Sequence, residues 1–151
     1  MVIIQTATWG ETEVNENEIY RFEKGIPGFE DNRSFVLLDQ GDHPFYYMQS
    51  TEDQELAFVV VDPFLFYSDY EFELSESEKE ELGIESLVEV WCVLTLNKQA
   101  ELSTINLLAP IVLNPEQHTG KQVVLHQTSY QTKHPLRPAG ISKSNAQKEG
   151  E

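Results

Sequence analysis

Acidic side chains are the most abundant reactive groups in this sequence, and five of them follow one another at short spacing. Asp69, Glu71 and Glu73 lie two residues apart, and Glu76 and Glu78 continue the series. On an extended strand, alternate side chains share a face and repeat about every 7 Å. Carboxylates held this close repel one another unless water or a cationic partner surrounds them. This acidic series therefore predicts either a solvated face or a docking strip for a basic partner.

The other residue types offer little chemistry for catalysis or metal binding. Cys92 is the single cysteine, and it lies in an apolar run where burial would raise the pKa of its thiol and conceal it. The four histidines are scattered, without the short spacings that are typical of metal ligands. The sequence contains no G-x-S-x-G, Walker or G-x-G-x-x-G motif. We therefore predict a protein that is not an enzyme and that holds neither a metal nor a cofactor.

A run of large amphipathic side chains indicates binding instead of catalysis. It consists of Phe45, Tyr46, Tyr47 and Met48. Aromatic side chains and methionine contribute strongly to protein interfaces. Those members of the run that face outward are candidate anchors for a partner.

The length and charge of the chain limit the classes of function. The chain has 151 residues, which suits one domain, and its 10 basic and 26 acidic residues give a net charge of −16. So negative a surface repels phosphate, which argues against direct binding of nucleic acid or of an anionic membrane. The N-terminus does not resemble a secretory signal, and no apolar run approaches the roughly 20 residues of a membrane helix. We expect a soluble, cytoplasmic protein.

Most of the chain shows the period of two that is typical of β-strands. The clearest cases are residues 64–74, where apolar and acidic side chains alternate, and residues 88–96, which are apolar on both faces. Shorter candidate strands cover residues 2–8, 19–22, 35–39, 45–49, 56–61, 104–108 and 122–127. Most connections are too short for helical crossovers, so the sheet should be mainly antiparallel. The pattern predicts an all-β fold, a small β-barrel-like domain.

One short helix is predicted near residues 76–82. Ser75 and Glu78 fit a capping box, in which each side chain accepts a hydrogen bond from the other residue's free N–H group. Gly83 is a suitable end, because glycine adopts the left-handed conformation that closes many helices.

The chain divides into a folded domain and a C-terminal segment of different composition. Residues 1–133 carry the alternating pattern. Residues 134–151 contain two prolines and few large apolar side chains, so we predict a flexible tail.

Three segments carry glycine, proline and asparagine at positions that shape a backbone. They read F-x-x-G-I-P-G-F-E over 22–30, F-V-V-x-D-P over 58–63, and N-L-L-A-P-I-V-x-N over 106–114 followed by G-K-Q-V-V-L over 120–125. Glycine permits backbone angles that a side chain forbids, proline fixes φ, and asparagine can bond free backbone groups. We expect a structural role for Gly25, Pro27, Gly28, Phe29, Asp62, Pro63, Asn106, Pro110, Asn114 and Gly120.

In this order and spacing, the three segments resemble the FliW family of bacterial flagellar assembly factors, over about residues 1–130. The resemblance implies a small β-barrel-like domain that acts as a chaperone-like regulator. Members of this family bind flagellin at its C-terminal helical region. They also bind CsrA, a small basic RNA-binding dimer that represses translation of flagellin mRNA. When flagellin is exported, the freed factor captures and antagonises CsrA, and repression is relieved.

The resemblance also indicates which partner each set of candidate residues would bind. Because CsrA is basic, we assign it to the acidic series of Asp69, Glu71, Glu73, Glu76 and Glu78. The terminal segments of flagellin are amphipathic helices that need an apolar surface. We assign them to Phe45, Tyr46, Tyr47 and Met48.

Three other interpretations are open at the level of sequence. A small-ligand or carbohydrate-binding barrel would show a deep aromatic pocket and binding that is indifferent to salt. A hydrolase would show two inward-facing carboxylates in a cleft. Adaptation to high salt would explain the charge without a partner, and stability would then rise steeply with salt.

Overall fold

The computed structural model of the protein describes residues 2–39 and 44–136, and most of the regular structure in these ranges is β-strand. One seven-residue α-helix, α1, covers Glu76–Leu82, and short 3₁₀ turns cover Glu16–Glu18, Pro63–Leu65 and Ala100–Leu102. The strands are β1 Val2–Thr6, β2 Gly10–Val14, β3 Ile19–Arg21, β4 Ser34–Leu38, β5 Tyr46–Ser50, β6 Ala57–Val61, β7 Glu89–Thr95, β8 Thr104–Ile105, β9 Ile111–Asn114, β10 Thr119–Gln122 and β11 His134–Pro135.

Seven of these strands close into a barrel, which confirms the predicted fold class. Strands β7, β6, β5, β4, β3, β10 and β9 are hydrogen-bonded in that order, and β9 pairs again with β7. All neighbours in the ring are antiparallel except β3 and β10, where Arg21 lies opposite Thr119 in a parallel pair. Closure of the ring leaves few free strand edges in the barrel.

The segment around Pro110 lies at the seam of the barrel, where one edge of β7 changes partner. The first half of β7 pairs with β9, and its last two residues pair with β8. Residues 106–110 leave the sheet between β8 and β9, because proline cannot donate to a ladder. The Asn106 side-chain oxygen accepts the N–H groups of Leu108 at 3.1 Å and Ala109 at 3.0 Å. The backbone groups released by the bend therefore have partners.

The main hydrophobic core joins side chains from several strands of the barrel. Phe22 and Phe35 pack edge to face, with ring centroids 5.2 Å apart. Gly120 is part of this packing, since a Cβ atom there would lie 2.6 Å from the Phe22 ring. The fully buried members of the core are Phe22, Ile26, Phe35, Met48, Val60, Ile111 and Leu113.

A hairpin covers one outer face of the barrel. Strands β1 and β2 form a separate two-stranded sheet. Ile4 and Val14 from the hairpin join Val36 and Leu38 of β4 in a second buried cluster. The strand alternation of β4 therefore buries both of its faces, one in the barrel core and one under the hairpin.

Helix α1 confirms the predicted capping box and the predicted end. The Ser75 hydroxyl accepts the Glu78 N–H at 3.2 Å, and the Glu78 carboxylate accepts the Ser75 N–H at 3.2 Å. Gly83 has a φ of +69° and closes the helix. The carbonyl of the buried Leu82 accepts hydrogen bonds from Asn114 Nδ2 at 2.9 Å and Thr119 Oγ1 at 2.7 Å. The helix is thus fixed to the barrel at its C-terminal end.

The predicted strand at residues 64–74 is wrong. Asp62 caps the 3₁₀ turn by accepting the Phe64 N–H at 2.9 Å, and Pro63 occupies its first position. This local chemistry overrides the apolar alternation, because proline and an aspartate cap both favour a turn. Phe64 and Leu65 are 43% and 61% exposed. The alternation of burial holds only over residues 70–74, which belong to no strand.

Three further strands differ from the sequence prediction. The strand expected at residues 122–127 lies earlier, at β10, and the N–H groups of Val123 and Leu125 instead bond the carbonyls of Pro110 and Leu108. Strands β2 and β9 were not predicted, because turn residues at Trp9 and Gly10 and the apolar run around Pro110 obscure the period of two.

The boundary region of the predicted tail takes part in the sheet. Strand β11 pairs with β8, with His134 opposite Ile105. The rest of the predicted tail, residues 137–151, lies outside the described residues. Across the described ranges, no helix is both long and apolar enough to cross a membrane.

Candidate partner-binding groove

An open groove of about 790 Å³ is lined by two chain segments that flank α1. One segment is residues 70–74, and the other runs from residue 84, after α1, to residue 90 in the first part of β7. The N-terminal end of α1 completes the wall. This surface is called the groove below. Its lining residues are Phe64, Tyr70, Glu71, Phe72, Glu73, Leu74, Glu76, Lys79, Ile84, Glu85, Ser86, Val88, Val90 and Val112.

The groove combines apolar surface with accessible side chains. Phe64 is 43% exposed and Val88 is 42% exposed. Phe72, Leu74 and Ile84 are half-buried beside them. A folded monomer rarely leaves so many large apolar groups together at an open surface unless they meet a partner.

The same groove carries a concentration of negative charge. Glu71, Glu73 and Glu85 line it and are exposed, and none of them has a cationic partner within 4 Å among the described residues. Glu76 is paired with Lys79 at 3.3 Å, and Lys79 is the one basic residue among those that line the groove. Uncompensated carboxylates beside apolar surface attract a partner that is both basic and apolar.

The structure brings together three of the five residues of the acidic series. Glu71, Glu73 and Glu76 line the groove, whereas Asp69 lies in an exposed turn outside its lining. Glu78 is engaged in the capping box, and its Oε2 lies 3.9 Å from Lys121 Nζ. It is therefore a structural residue of α1 as well as a member of the series.

Sequence reasoning missed the second wall of the groove. Glu85 and Val88 follow α1 directly, in a stretch of acidic and apolar residues. The sequence signal that could have found it is that the apolar residues of 84–88 follow no spacing that would bury them together on one face. Leu87 among them is 58% exposed. Only the fold shows that this stretch lies beside residues 70–74.

A lysine secures α1 against the barrel. Lys121 Nζ donates to Glu81 Oε1 at 2.9 Å, and Lys24 Nζ lies 3.5 Å from the same oxygen. The hydrogen bond from Lys121 lowers the pKa of the Glu81 carboxyl below its ordinary value. The α1 wall of the groove is thus held both by its C-terminal carbonyl and by this ion pair.

The wall of the groove formed by residues 70–74 is held by two tyrosines. The Tyr70 hydroxyl donates to the Leu107 carbonyl at 2.7 Å, and the Tyr130 hydroxyl accepts the Glu71 N–H at 3.1 Å. The two rings meet edge to face at 4.8 Å. Burial raises the pKa of the Tyr70 hydroxyl, so it remains a donor at all physiological pH values. Burial also raises the pKa of the neighbouring Cys92 to about 12, as expected for a core thiol.

Residues 128–136, which we call the strap, cross the outside of the barrel and supply Tyr130. The strap ends in β11, where the Tyr67 hydroxyl donates to the Pro135 carbonyl at 2.5 Å. Within it, His134 Nε2 accepts the Gln131 N–H at 2.8 Å. Tyr130 and Leu136 pack against the buried cluster that includes Val61.

His134 predicts a pH dependence of stability. Burial lowers the pKa of its imidazole below the ordinary value of about 6.5, so the unfolded chain binds the proton more tightly than the folded chain. The free energy of unfolding is therefore unaffected by His134 above pH 6.5. It falls as the pH drops from 6.5 towards the lowered pKa of the folded imidazole. The ring is partly open to water, so we expect a loss of at most about 0.5 kcal/mol. In urea titrations, the free energy of unfolding should fall less between pH 7.5 and pH 5.5 in His134→Gln than in the wild type. An equal loss in both proteins would contradict the assignment.

The aromatic run at residues 45–48, which continues into β5, is engaged in packing. Tyr46 meets Trp91 at 4.9 Å, Tyr47 meets Trp9 at 5.0 Å, and Met48 is 1% exposed. Phe45 packs beside the cluster under the strap. In this conformation, a partner could reach the rings of Phe45, Tyr46 and Tyr47 only in part and Met48 not at all.

The G-I-P-G-F loop is a tight turn whose glycines are required by its geometry. Gly25 has a φ of +65°, and a Cβ atom there would lie 2.6 Å from Glu30 Cα. Gly28 has a φ of +89°, and its N–H donates to the Glu30 carboxylate at 3.0 Å, which lowers the pKa of that carboxyl. Phe29 closes the loop with its ring 5.4 Å from Phe58.

Comparison with known proteins identifies one family. The model of the family described as FliW protein matches residues 3–136. The flagellar assembly factor FliW of Bacillus subtilis (strain 168) is 47% identical over 138 residues, which cover 89% of this chain and 96% of that protein. The protein of the same name from Exiguobacterium sp. (strain ATCC BAA-1283 / AT1b) is 46% identical and is covered to 94%.

A solved structure agrees with the fold. The crystal structure of a flagellar assembly factor FliW superimposes with a TM-score of 0.86 at 39% sequence identity. The match covers 93% of this chain and all of that one. The seven-stranded barrel described above is therefore shared with that protein.

Proposed function

The chain belongs to the FliW family of flagellar assembly factors, and from this premise we propose that it is a cytoplasmic switch between two partners, flagellin and CsrA. Assembly factors of this family are not enzymes, which agrees with the sequence prediction. In the proposed cycle, the protein holds flagellin until flagellin is exported. The free protein then binds CsrA and antagonises its repression of flagellin translation.

The observation that carries the proposal is the groove, which unites accessible apolar surface with unpaired carboxylates. CsrA must be basic where it holds RNA phosphates, and Glu71, Glu73 and Glu85 offer complementary charge. An amphipathic helix from flagellin would instead use the apolar surface of Phe64 and Val88. We therefore propose that both partners use the groove.

A shared groove explains why the partners would exclude each other. A helix of two or three turns is about 10 Å across with its side chains, so it would fill an opening of about 790 Å³. The exposed parts of Phe45, Tyr46 and Tyr47 remain a second candidate surface for flagellin. If flagellin used that surface, both partners could bind at once.

The experiment that tests the proposal is a competition titration with purified proteins. Flagellin and CsrA are titrated calorimetrically into the protein, separately and then one after the other, at 50 and 300 mM salt. We expect both to bind, CsrA to weaken more with salt, and the flagellin complex to bind no CsrA. Simultaneous binding of both would contradict the shared groove, and binding of neither would contradict the function.

A single substitution tests the apolar part of the groove. We expect Val88→Asp to weaken flagellin binding by roughly tenfold or more, because the carboxylate would be desolvated against an apolar helix face. The matched control is Ile3→Asp, a β-branched residue that is 61% exposed on the β1–β2 hairpin and outside the groove. If flagellin bound the two variants with equal affinity, its site would lie outside the groove. Tyr46→Ala would then test whether flagellin binds at β5.

A further inference from the structure

We infer that the strap holds the groove in its binding conformation and that Tyr130 is the positioning residue through which it acts. The inference rests on the proposed function of the groove, and it assigns a role to a segment that does not line the groove at all. Tyr130 is absent from the lining, so its influence on a partner would be indirect.

The starting observation is that residues 70–74 lie outside the strands and have no strand partner among the described residues. A segment that joins no ladder must be held by other bonds, since its free backbone groups and its conformational entropy both oppose a fixed shape. The bond that holds the acidic part of this wall is the one from the Glu71 N–H to the Tyr130 hydroxyl, at 3.1 Å. It joins residues that are 59 apart in the chain.

The position of Tyr130 is itself well defined. Its ring lies edge to face on Tyr70, and the Gln131 carbonyl next to it accepts the N–H groups of Leu107 at 3.2 Å and Leu108 at 3.1 Å. The strap follows Gln127, a non-glycine residue with a φ of +59°. Such a conformation persists only where neighbouring bonds impose it. The strap is thus a fixed frame from which one hydroxyl reaches the acidic wall.

The consequence concerns the spacing of the carboxylates. With the Glu71 N–H bonded, Glu71 and Glu73 both line the groove, while Phe72 between them is half-buried. Without that bond, residues 71–73 would sample other conformations, and the two carboxylates would no longer present a fixed pattern. A partner that depends on this pattern would bind more weakly, although it never contacts the strap.

The test compares two tyrosine hydroxyls of the same region in the full chain. Tyr130→Phe keeps the ring on Tyr70 and removes the acceptor of the Glu71 N–H. Tyr67→Phe is the matched control, because it removes the hydroxyl bond to Pro135 at the far end of the strap. Tyr130 itself stays held by its ring contact with Tyr70 and by the bonds to the Gln131 carbonyl, so the acceptor of the Glu71 N–H remains in place. Amide exchange should rise roughly tenfold at Glu71, whose N–H loses its acceptor in Tyr130→Phe, and stay unchanged at Glu71 in Tyr67→Phe. Purified CsrA should bind Tyr130→Phe about three- to tenfold more weakly, and Tyr67→Phe as it binds the wild type.

The two readouts separate this inference from the proposed function. If the wild type binds no CsrA, the proposed function fails, and the exchange rates still decide whether Tyr130 orders the wall. Exchange at Glu71 that matches the wild type in Tyr130→Phe would overturn the inference. Exchange that rises throughout the barrel would also overturn it, because Tyr130 would then support general stability and not the wall.

Discussion

Gly25→Ala should destabilise the protein by about 3 kcal/mol, through the combination of backbone strain and overlap. At a φ of +65° the new methyl group is strained against its own backbone, which costs about 1–2 kcal/mol. It would also lie 2.6 Å from Glu30 Cα and 2.8 Å from the Glu30 carbonyl oxygen. These are backbone atoms, so the overlap is relieved only if the loop moves. Urea denaturation monitored by tryptophan fluorescence would measure the loss.

Gly28→Ala is the matched control for this prediction. Gly28 lies in the same loop at a φ of +89°, but nothing lies within 4 Å of the position of its Cβ atom. It therefore carries the strain without the overlap, and we expect a loss of about 1–2 kcal/mol. The difference between the variants isolates the contact with Glu30. If both variants lost the same amount, the close approach at Gly25 would not be what holds the loop.

If CsrA binds the groove as proposed, reversal of charge on the wall formed by residues 70–74 should slow its association strongly. We expect the double variant Glu71→Lys, Glu73→Lys to associate roughly 10- to 100-fold more slowly at low salt, and with a flatter salt dependence. The reason is that attraction between the groove and a basic partner accelerates encounter, and this variant replaces it with repulsion. Stopped-flow association at several salt concentrations would measure the effect.

The control for charge reversal has the same spacing and the same change in net charge. Glu11 and Glu13 are exposed on β2 of the hairpin, outside the groove. We expect Glu11→Lys, Glu13→Lys to slow association only by the small effect of net charge. Equal slowing in both double variants would show that the total charge attracts the partner and that the groove does not. Rates unchanged from the wild type in the groove variant would exclude the groove as the CsrA site.

The sequence by itself determined those features that depend on a few neighbouring residues. Ser75, Glu78 and Gly83 define α1, because a cap and a left-handed glycine act within one turn. The period of two and the short connections predicted a mainly antiparallel β-barrel, because alternation records which face is buried. The three glycine- and proline-rich segments resembled the family that comparison then showed.

The tertiary structure alone decided what surrounds the acidic series. The sequence placed residues 64–74 in a strand, but Asp62 and Pro63 start a turn, and the wall of the groove is instead held by Tyr130 from 59 residues away. Likewise Glu85 and Val88 follow Leu82, whose carbonyl is held by Asn114 and Thr119, and only the fold brings them into the same groove as Glu71 and Glu73. Local pattern records the burial of a side chain but not its neighbours. Those depend on how distant segments pack around the closed barrel.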